Sequence, residues 1–168
     1  MAKMTIYSKN GRMISDSFYG YYESPIGLIK VIGAPEAISS LKFVENQLDE
    51  PFLNLTVERA IEQLGEYFAG TRRAFDLPLV MPGTPFQSMV WQQLLQIPFG
   101  QTQSYQAIAN AISHPRAVRA VGAANGKNPI SIFVPCHRCI GSDGSLTGYG
   151  GGLWRKEWLL RHEGALPS

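Results

Sequence analysis

The sequence predicts an α+β protein in which a small N-terminal domain of sheet and helix is followed by a mainly α-helical C-terminal domain. Short apolar and aromatic runs separated by Pro and Gly fill residues 18–44, and apolar side chains at helical spacing recur from residue 85 onward. Between them, residues 75–85 contain three prolines and a glycine, a density that is typical of a linker. We therefore predict domains at residues 1–82 and 83–168, each small but able to bury a core.

Three strands and a helix are expected in the N-terminal domain. The runs Phe18–Glu23, Leu28–Ile32 and Ile38–Val44 have strand length, and the turn residues between the first two favour a hairpin. Residues 58–69 then carry apolar side chains at helical spacing, and Gly70 stands where that helix is expected to end.

Helices dominate the expected C-terminal domain. Thr84 offers an N-cap hydroxyl and Pro85 a first helical residue, and Pro98 ends this helix. Two short helices follow at residues 104–112 and 116–125. A tight turn joins them, and the second carries arginine near its start, so the pair matches a helix-turn-helix. Any small helical pair with an exposed arginine would give the same pattern.

The segment after the helix pair holds the residues with the most chemical character. The apolar run Ile130–Val134 is expected to be a short buried strand that leads to Cys136, and a glycine-rich loop follows at residues 142–152. A last helix is expected over residues 154–162. Three of its apolar side chains are expected to face inward: Trp154, Trp158 and Leu159.

Composition and charge describe an ordinary globular protein with a basic C-terminal half. No apolar run approaches the roughly 20 residues of a membrane helix. Residues 1–84 hold eight basic and ten acidic side chains, whereas residues 85–168 hold seven and three. This asymmetry fits a polyanion-binding domain beside a support domain, although a scatter of few charges would also produce it. The N-terminus lacks the order of a signal peptide, so a cytoplasmic location without a membrane partner is expected.

Both cysteines of the chain, Cys136 and Cys139, lie in one short segment, which excludes a disulfide framework. A cysteine is a strong nucleophile only as a thiolate, and a nearby base or cation, such as His137 or Arg138, lowers a thiol pKa. From spacing alone, a nucleophile, a redox dithiol and a buried structural cysteine fit equally well. Zinc is not expected, because three histidines and one cysteine pair offer no second pair of thiol ligands.

The stretch VPCHR at residues 134–138 resembles the active-site signature of the O6-alkylguanine-DNA alkyltransferases, also called methylated-DNA–protein-cysteine methyltransferases. Further motifs of that family follow in order over residues 83–164. They are GTPFQ from residue 83, RAVRAVGAANG from residue 116, NPI from residue 128, LTGYGGG from residue 146 and RKEWLLRHEG from residue 155. The N-terminal half is similar only loosely. The chain looks most like the bacterial, constitutive members, and the resemblance implies an RNase H-like N-terminal domain.

The resemblance implies that Cys136 accepts the alkyl group of O6-alkylguanine in DNA, irreversibly and once per molecule. His137 would act as general base through a water, and Glu163 would hold and polarise that imidazole. Asn128 would stabilise the turn beneath Cys136 and help to position the relay. Neither a cofactor nor a metal is implied.

Recognition of the base is implied for the glycine-rich loop. Tyr149 would donate its hydroxyl to N3 of the guanine, and backbone near Gly150 and Gly151 would approach the O6 edge. The carbonyl groups of Cys136 and Cys139 would accept from the exocyclic amine and so prefer guanine. Acceptance of O4-alkylthymine is left open.

DNA binding is implied for the helix-turn-helix, which this family places in the minor groove. Arg119 would fill the gap left by the flipped base, and Tyr105 would crowd the 3′ phosphate and drive its rotation. The other side chains expected to contact DNA are Arg116, Ala117, Ala120, Val121, Ala124 and Asn125. The expected partner is double-stranded DNA with an alkylated guanine, and no obligate protein partner is expected.

Two other classes of function stay open at this point. A non-catalytic sensor of alkylated DNA would resemble this family but lack the acceptor cysteine, whereas Cys136 is present here. A thiol–disulfide oxidoreductase would use Cys136 and Cys139, but such motifs usually begin a helix in a βαβ setting. Cys139 stands where the family usually has an aliphatic residue. A further hypothesis is therefore that oxidation forms a disulfide between Cys136 and Cys139 and inactivates the protein.

Overall fold

The structure, a computed structural model, describes residues 6–7, 13–14 and 17–167. The chain forms two compact units that divide between Val80 and Met81. The predicted linker contributes to the first unit, because Ile38 N donates to Pro78 O at 2.8 Å and Val80 N donates to Ile38 O at 2.9 Å. Most of the N-terminal segment, for which no signal peptide is expected, lies outside the described residues. No helix among those described is long and apolar enough to cross a membrane.

The N-terminal unit combines antiparallel strands with one helix, as the sequence predicts. Its elements are β1 (Ile6–Tyr7), β2 (Met13–Ile14), β3 (Phe18–Ser24), β4 (Gly27–Ala34), β5 (Ala37–Val44) and α1 (Leu55–Phe68). Strands β3, β4 and β5 form one sheet in chain order, and β1 pairs with β2. The short pair β1–β2 has no counterpart in the sequence prediction.

Packing of α1 against this sheet follows from three local features. Alternation along β4 puts Ile29 and Val31 into the core. Asn54 begins α1, since its side chain accepts from Val57 N at 2.9 Å. Gly20 lets the helix come close, because a Cβ at this position would lie 2.6 Å from Ile61 Cδ1.

The C-terminal unit is mainly helical, which confirms the predicted α+β class. Its elements are α2 (Pro85–Leu94), β6 (Gln103–Ser104), α3 (Tyr105–Ala111), α4 (Val118–Gly126), a 3₁₀ helix (Cys136–Arg138), β7 (Cys139–Ile140) and α5 (Leu153–His162). Helices α2, α3 and α4 pack on one another. Strands β6 and β7 pair in parallel, with Gln103 beside Cys139.

Capping residues set the starts of these helices. Thr84 and Gln87 form a reciprocal capping box at α2, and the Ser104 hydroxyl accepts from Ala107 N at 3.0 Å to begin α3. Helix α4 begins at Val118, two residues later than predicted, and the preceding Ala117 has no side chain that could cap it. The predicted helix-turn-helix is therefore present with a shorter second helix.

Two predictions about the chemical segment are wrong. Ile130–Val134 is buried but not extended: Val134 N donates to Ile130 O at 3.0 Å, and Ile132 has a φ of 72°, so the run folds into a tight turn. In α5, Leu159 is buried and Trp158 half-buried, but Trp154 is 56% exposed. Trp154 lies in the first turn of that helix, outside the face that Leu159 and Leu160 bury.

Candidate active site

A tight turn fixed by Asn128 places Cys136 in the interior of the C-terminal unit. The Asn128 amide nitrogen donates to Val134 O at 2.8 Å, and its side-chain oxygen accepts from Ile130 N at 2.9 Å. Cys136 N also donates to Val134 O at 2.8 Å as the 3₁₀ helix begins. The thiol of Cys136 is therefore held on a turn, not at the end of a strand, and the residue is buried.

Glu163 joins His137 and Arg138 in one buried cluster. Its carboxylate meets His137 Nε2 at 2.8 Å, and it accepts from Arg138 Nε at 2.8 Å and from a second guanidinium nitrogen at 2.9 Å. Arg138 also donates to Ile97 O at 2.7 Å. Burial alone would raise the pKa of Glu163, but the hydrogen bonds and charges of His137 and Arg138 lower it well below its usual range. The carboxylate therefore stays ionised and its charge is matched by Arg138.

His137 is fully buried, and within the described residues only its Nε2 has a hydrogen-bond partner. Burial lowers the pKa of the imidazole, although the hydrogen bond to Glu163 opposes that change. With the Glu163 carboxylate on Nε2, the neutral ring carries its hydrogen there and presents Nδ1 as an acceptor. Nδ1 is buried and has no hydrogen-bond partner among the described residues.

Lys156, a residue not predicted to lie in the site, is fully buried and hydrogen-bonds to the backbone of Cys139. Its Nζ donates to Cys139 O at 2.6 Å, to Thr147 O at 3.0 Å and to the Tyr105 hydroxyl at 3.4 Å. The sequence did carry a signal for it, because Lys156 precedes the buried Leu159 and Leu160 by three and four residues on α5.

The two thiols share this environment. Burial raises the pKa of Cys136, and Asn128 and Lys156 act in the opposite direction. Burial likewise raises the pKa of Cys139 to about 12, opposed by Lys156. Arg138, the cation predicted to lie near the thiol, is paired with Glu163. Both cysteines are free.

Two tyrosines lie around this cluster. Tyr105 is half-exposed, and its hydroxyl donates to Thr147 O at 2.8 Å. The Tyr149 hydroxyl is buried and has no hydrogen-bond partner within the described part of the chain. Burial and the neighbouring Cys136 raise its pKa well above the ordinary value, while Ser131 beside it opposes the rise. Tyr149 therefore keeps its hydrogen and offers an unused donor next to Cys136.

The glycine-rich loop is exposed at Gly150. A Cβ at Gly150 would meet nothing within 4 Å, and Gly151 O accepts from Arg155 at 2.7 Å. The carbonyl oxygens predicted to read a guanine amine already have donors: Asn125 donates to Cys136 O at 3.4 Å, and Lys156 donates to Cys139 O. A base amine would share these acceptors.

Helix α4 and the two residues before it expose only some of the side chains that were predicted to contact DNA. Arg116, Arg119 and Ala120 are exposed, and Ala117 is half-buried. The prediction is corrected for the other three side chains, which are buried in the unit: Val121, Ala124 and Asn125. They form the inward face of the helix, where Trp91 Nε1 donates to Ala124 O at 2.9 Å. Through Asn125 and Ala124, this inward face connects α4 to the Cys136 turn and to α2.

The described residues contain no group of three or more histidine, cysteine or acidic side chains that could hold a metal ion. What they bring together is a buried thiol, a carboxylate-bound imidazole, an uncompensated lysine and a buried phenol. The helix-turn-helix in the same unit exposes two arginines. This combination is typical of a class of proteins that carry a reactive cysteine and a nucleic-acid-binding motif in one domain.

Comparison with known proteins identifies the family within that class. Residues 17–81 match the ribonuclease-like domain of 6-O-methylguanine DNA methyltransferase, and residues 85–165 match its DNA-binding domain. The chain therefore belongs to the 6-O-methylguanine DNA methyltransferase family.

Individual relatives agree over most of their length. A methylated-DNA–protein-cysteine methyltransferase of Mycolicibacterium paratuberculosis is 49% identical, over 86% of this chain and 91% of the relative. The one from Methanosarcina acetivorans is 45% identical, over 88% and 99%. Among solved structures, Mycobacterium tuberculosis OGT in complex with DNA matches with a TM-score of 0.81 at 46% identity, covering 88% of this chain and 92% of that one.

Proposed function

We propose that this chain repairs alkylated DNA by direct reversal, taking the alkyl group of O6-alkylguanine onto the sulfur of Cys136. The observation that carries the proposal is the buried imidazole directly after the buried thiol. Its Nε2 is fixed by Glu163, and its Nδ1 is an unused acceptor among the described residues. A base held in this way can take a thiol proton, directly or through one water. The named relatives are methylated-DNA–protein-cysteine methyltransferases, which supports the same reaction.

The proposed chemical step is a displacement at the alkyl carbon. The Cys136 sulfur forms a C–S bond while the C–O6 bond breaks, and its electron pair stays with the guanine, which takes up one proton. His137 serves as the proton acceptor for the thiol, and Glu163 orients the ring and stabilises its charged form. Asn128 holds the turn that aims the sulfur. A thioether has no easy reverse reaction, so each molecule reacts once.

Recognition of the base is assigned to the loop around Tyr149. Its unused hydroxyl is a donor for N3 of the guanine, and such a bond strengthens as negative charge develops on the leaving base. The open space at Gly150, together with backbone at Gly151, accommodates the O6 edge. The Cys139 carbonyl contributes to the preference for guanine. O4-alkylthymine offers a similar alkyl–oxygen bond and is a second substrate to test.

DNA binding is assigned to the exposed side of the helix pair. Arg119 enters the base stack and Tyr105 acts on the adjacent phosphate, while Arg116, Ala117 and Ala120 lie against the minor groove. A flipped base costs a few kcal/mol of unstacking, which an inserted side chain offsets in part. We place the activity in the cytoplasm, in a monomer that needs no cofactor.

Intact-protein mass after incubation with a duplex containing one O6-methylguanine tests the proposal. We expect a gain of one methyl group that saturates at one per chain and maps to Cys136. Cys136→Ser should bind the same duplex and show no gain, whereas Cys139→Ser should still react. Binding without a mass change in the reduced wild-type protein would contradict the proposal and favour the lesion sensor. Catalytic reduction of insulin disulfides by a dithiol would favour the oxidoreductase.

A further inference from the structure

The segment that leads to Cys136 contains a residue with a strained backbone, Ile132. Its φ of 72° lies in the left-handed region, where the Cβ of a branched side chain crowds the neighbouring backbone. Among the described residues, the other non-glycine residue with a positive φ is Ser113, which is exposed in the turn of the helix pair and is not branched. Strain of this kind persists only where the surrounding structure enforces it, and strained residues cluster at active sites.

The hydrogen bond across Ile132 identifies the strained conformation as a γ-turn. Phe133 N donates to Ser131 O at 2.9 Å, so a three-residue turn closes around Ile132. This bond and the positive φ match the rare form of the γ-turn, whose central φ is about 75°. The common, inverse form has a negative φ and carries no such strain. A β-branched residue at the centre of the rare form therefore needs support from its neighbours.

A second, relaxed turn carries the chain from this segment to the nucleophile. Cys136 N donates to Val134 O at 2.8 Å, and Pro135 between them has a φ of −80° and a ψ of 63°, which is the inverse γ-turn. Val134 N in turn donates to Ile130 O at 3.0 Å. The strained residue thus lies inside the loop that this last bond closes, and the backbone of Cys136 is tied directly to the end of that loop.

Hydrogen bonds and burial both oppose relaxation of Ile132. Asn128 bonds to both ends of the loop, since its amide nitrogen donates to Val134 O at 2.8 Å and its side-chain oxygen accepts from Ile130 N at 2.9 Å. The side chains of Ile132 and Phe133 are buried in the same segment. A change of φ at Ile132 would break one of these bonds or move a buried side chain, so the surroundings enforce the strained conformation.

We propose that Ile132 is a positioning residue whose strained conformation sets the direction from which the Cys136 sulfur meets the alkyl carbon. During transfer the C–S bond forms as the C–O6 bond breaks and its electron pair passes to the guanine, so sulfur, carbon and O6 lie nearly in line. A small error in such an arrangement slows a reaction steeply. A turn with one enforced path at Ile132 orients the sulfur more narrowly than a relaxed turn with several. Ile132 acts through the backbone, and the inference rests on Cys136 being the acceptor.

Glycine and alanine variants at two positions of the turn test the strain. At Ile130, which is buried and has no positive φ, we expect Ile130→Ala to have a higher unfolding free energy than Ile130→Gly, because glycine costs backbone entropy. At Ile132 the order should reverse, because glycine adopts a positive φ freely and alanine does not. Urea unfolding of the four proteins measures both orders. The same order at both positions would overturn the proposal.

Rates of Cys136 modification separate positioning from stability. A purely structural role of Ile132 predicts that the more stable Ile132→Gly protein also accepts methyl groups at least as fast as Ile132→Ala. We expect instead that Ile132→Gly takes the methyl group of an O6-methylguanine duplex about tenfold more slowly, or slower still. Iodoacetamide is small and approaches from many directions, so its reaction at Cys136 should differ between the two variants by less than about threefold. Equal transfer rates, or a tenfold loss that iodoacetamide shares, would overturn the positioning role.

If neither Ile132 variant folds, NMR of the wild-type protein keeps the proposal testable. A positive φ brings the amide and α protons of a residue close together, so the intraresidue NOE of Ile132 should exceed that of Ile130. Equal NOEs would overturn the proposal. A wild-type protein that takes no methyl group from DNA would reject the proposed function, whereas methyl transfer without the reversed order of stability would reject this inference alone.

Discussion

Glu163 contributes differently to stability above and below its ordinary pKa. The folded protein holds the Glu163 carboxylate ionised, with a pKa far below that of an unfolded chain, because His137 and Arg138 bind it. A depressed carboxyl pKa gives stability that is present above the unfolded value, near 4.3, and that is lost as the pH falls toward the folded value.

Replacement of Glu163 by Gln is therefore expected to cost more stability at pH 7 than at pH 3, because at pH 3 only the part of the Glu163 contribution that lies between the unfolded pKa and that pH has been lost. At pH 7 the change leaves Arg138 buried without its charge partner, which costs about 3–5 kcal/mol of unfolding free energy. Urea unfolding at both pH values measures the difference. Glu157→Gln is the matched control on α5. Glu157 pairs with Arg161 at the surface, and loss of this ion pair lowers the unfolding free energy by at most about 0.5 kcal/mol. Equal losses at pH 3 and pH 7 would contradict the assignment.

Among individual residues, sequence and structure agree where a motif carried the information. The site contains Cys136, His137, Glu163 and Asn128 together, as the resemblance implied. Lys156 was missed because a lysine in a helix is ordinarily exposed, and only its register with Leu159 and Leu160 shows otherwise. The partner of Arg138 could not be predicted either, because Glu163 lies 25 residues away and its approach depends on tertiary packing.

At the scale of elements, helix α4 has one face that packs into its unit and another that is exposed. Its inward face packs Val121 and Ala124 into the unit, while Gly122 is half-buried and a Cβ added there would meet nothing within 4 Å. Glycine inside a helix costs backbone entropy that alanine does not. No packing reason for this glycine is visible in the unit itself.

Gly122→Ala is therefore expected to raise the unfolding free energy by about 0.5–1 kcal/mol, measured by urea unfolding. Gly83→Ala is the opposite case: its Cβ would lie 2.6 Å from a ring carbon of the buried Trp91, so we expect a loss of stability. A destabilised Gly122→Ala protein would show that the surroundings of α4 are tighter than described.

The boundaries of helices and turns were predicted from the sequence with unequal accuracy. The start of α1, which Asn54 caps, lies three residues before the predicted one. Two other starts with side-chain caps, Thr84 at α2 and Ser104 at α3, were predicted within a residue. The start of α4 was not, because Ala117 offers no capping group. Residues 130–134 were misassigned because periodicity cannot separate a buried strand from a buried turn, and the two hydrogen bonds from Asn128 decide in favour of the turn.

At the scale of the whole molecule, the basic half of the chain offers few charges to DNA. It holds seven basic side chains, but Arg138 and Lys156 are buried and Arg161 pairs with Glu157. Of the others, Arg155 is half-buried and bonded to Gly151 O. The exposed cations of the helix pair and its end are Arg116, Arg119 and Lys127.

Binding to undamaged duplex DNA is therefore expected to depend only moderately on salt. If each of these three cations displaces about 0.9 counterions from undamaged duplex DNA, a plot of the logarithm of the binding constant against that of the salt concentration has a slope of about −3. The slope is measured by fluorescence anisotropy of a labelled duplex at NaCl concentrations of about 50 to 200 mM, a range that includes physiological ionic strength. Arg116→Ala should make this slope less negative by about 1. A slope of about −6 or steeper would mean that other cations of the chain contact phosphate.

The split of α4 into an outward and an inward face also tells a protein engineer which positions can vary. Asn125 donates to Cys136 O and Ala124 accepts from Trp91, so changes at these inward positions disturb the reactive turn along with the helix. Arg116, Arg119, Ala120 and Ala123 are exposed and carry no such connection. A mutant library that randomises these four codons and keeps Val121, Ala124 and Asn125 should retain a high fraction of folded members with an intact reactive turn, while their DNA binding varies.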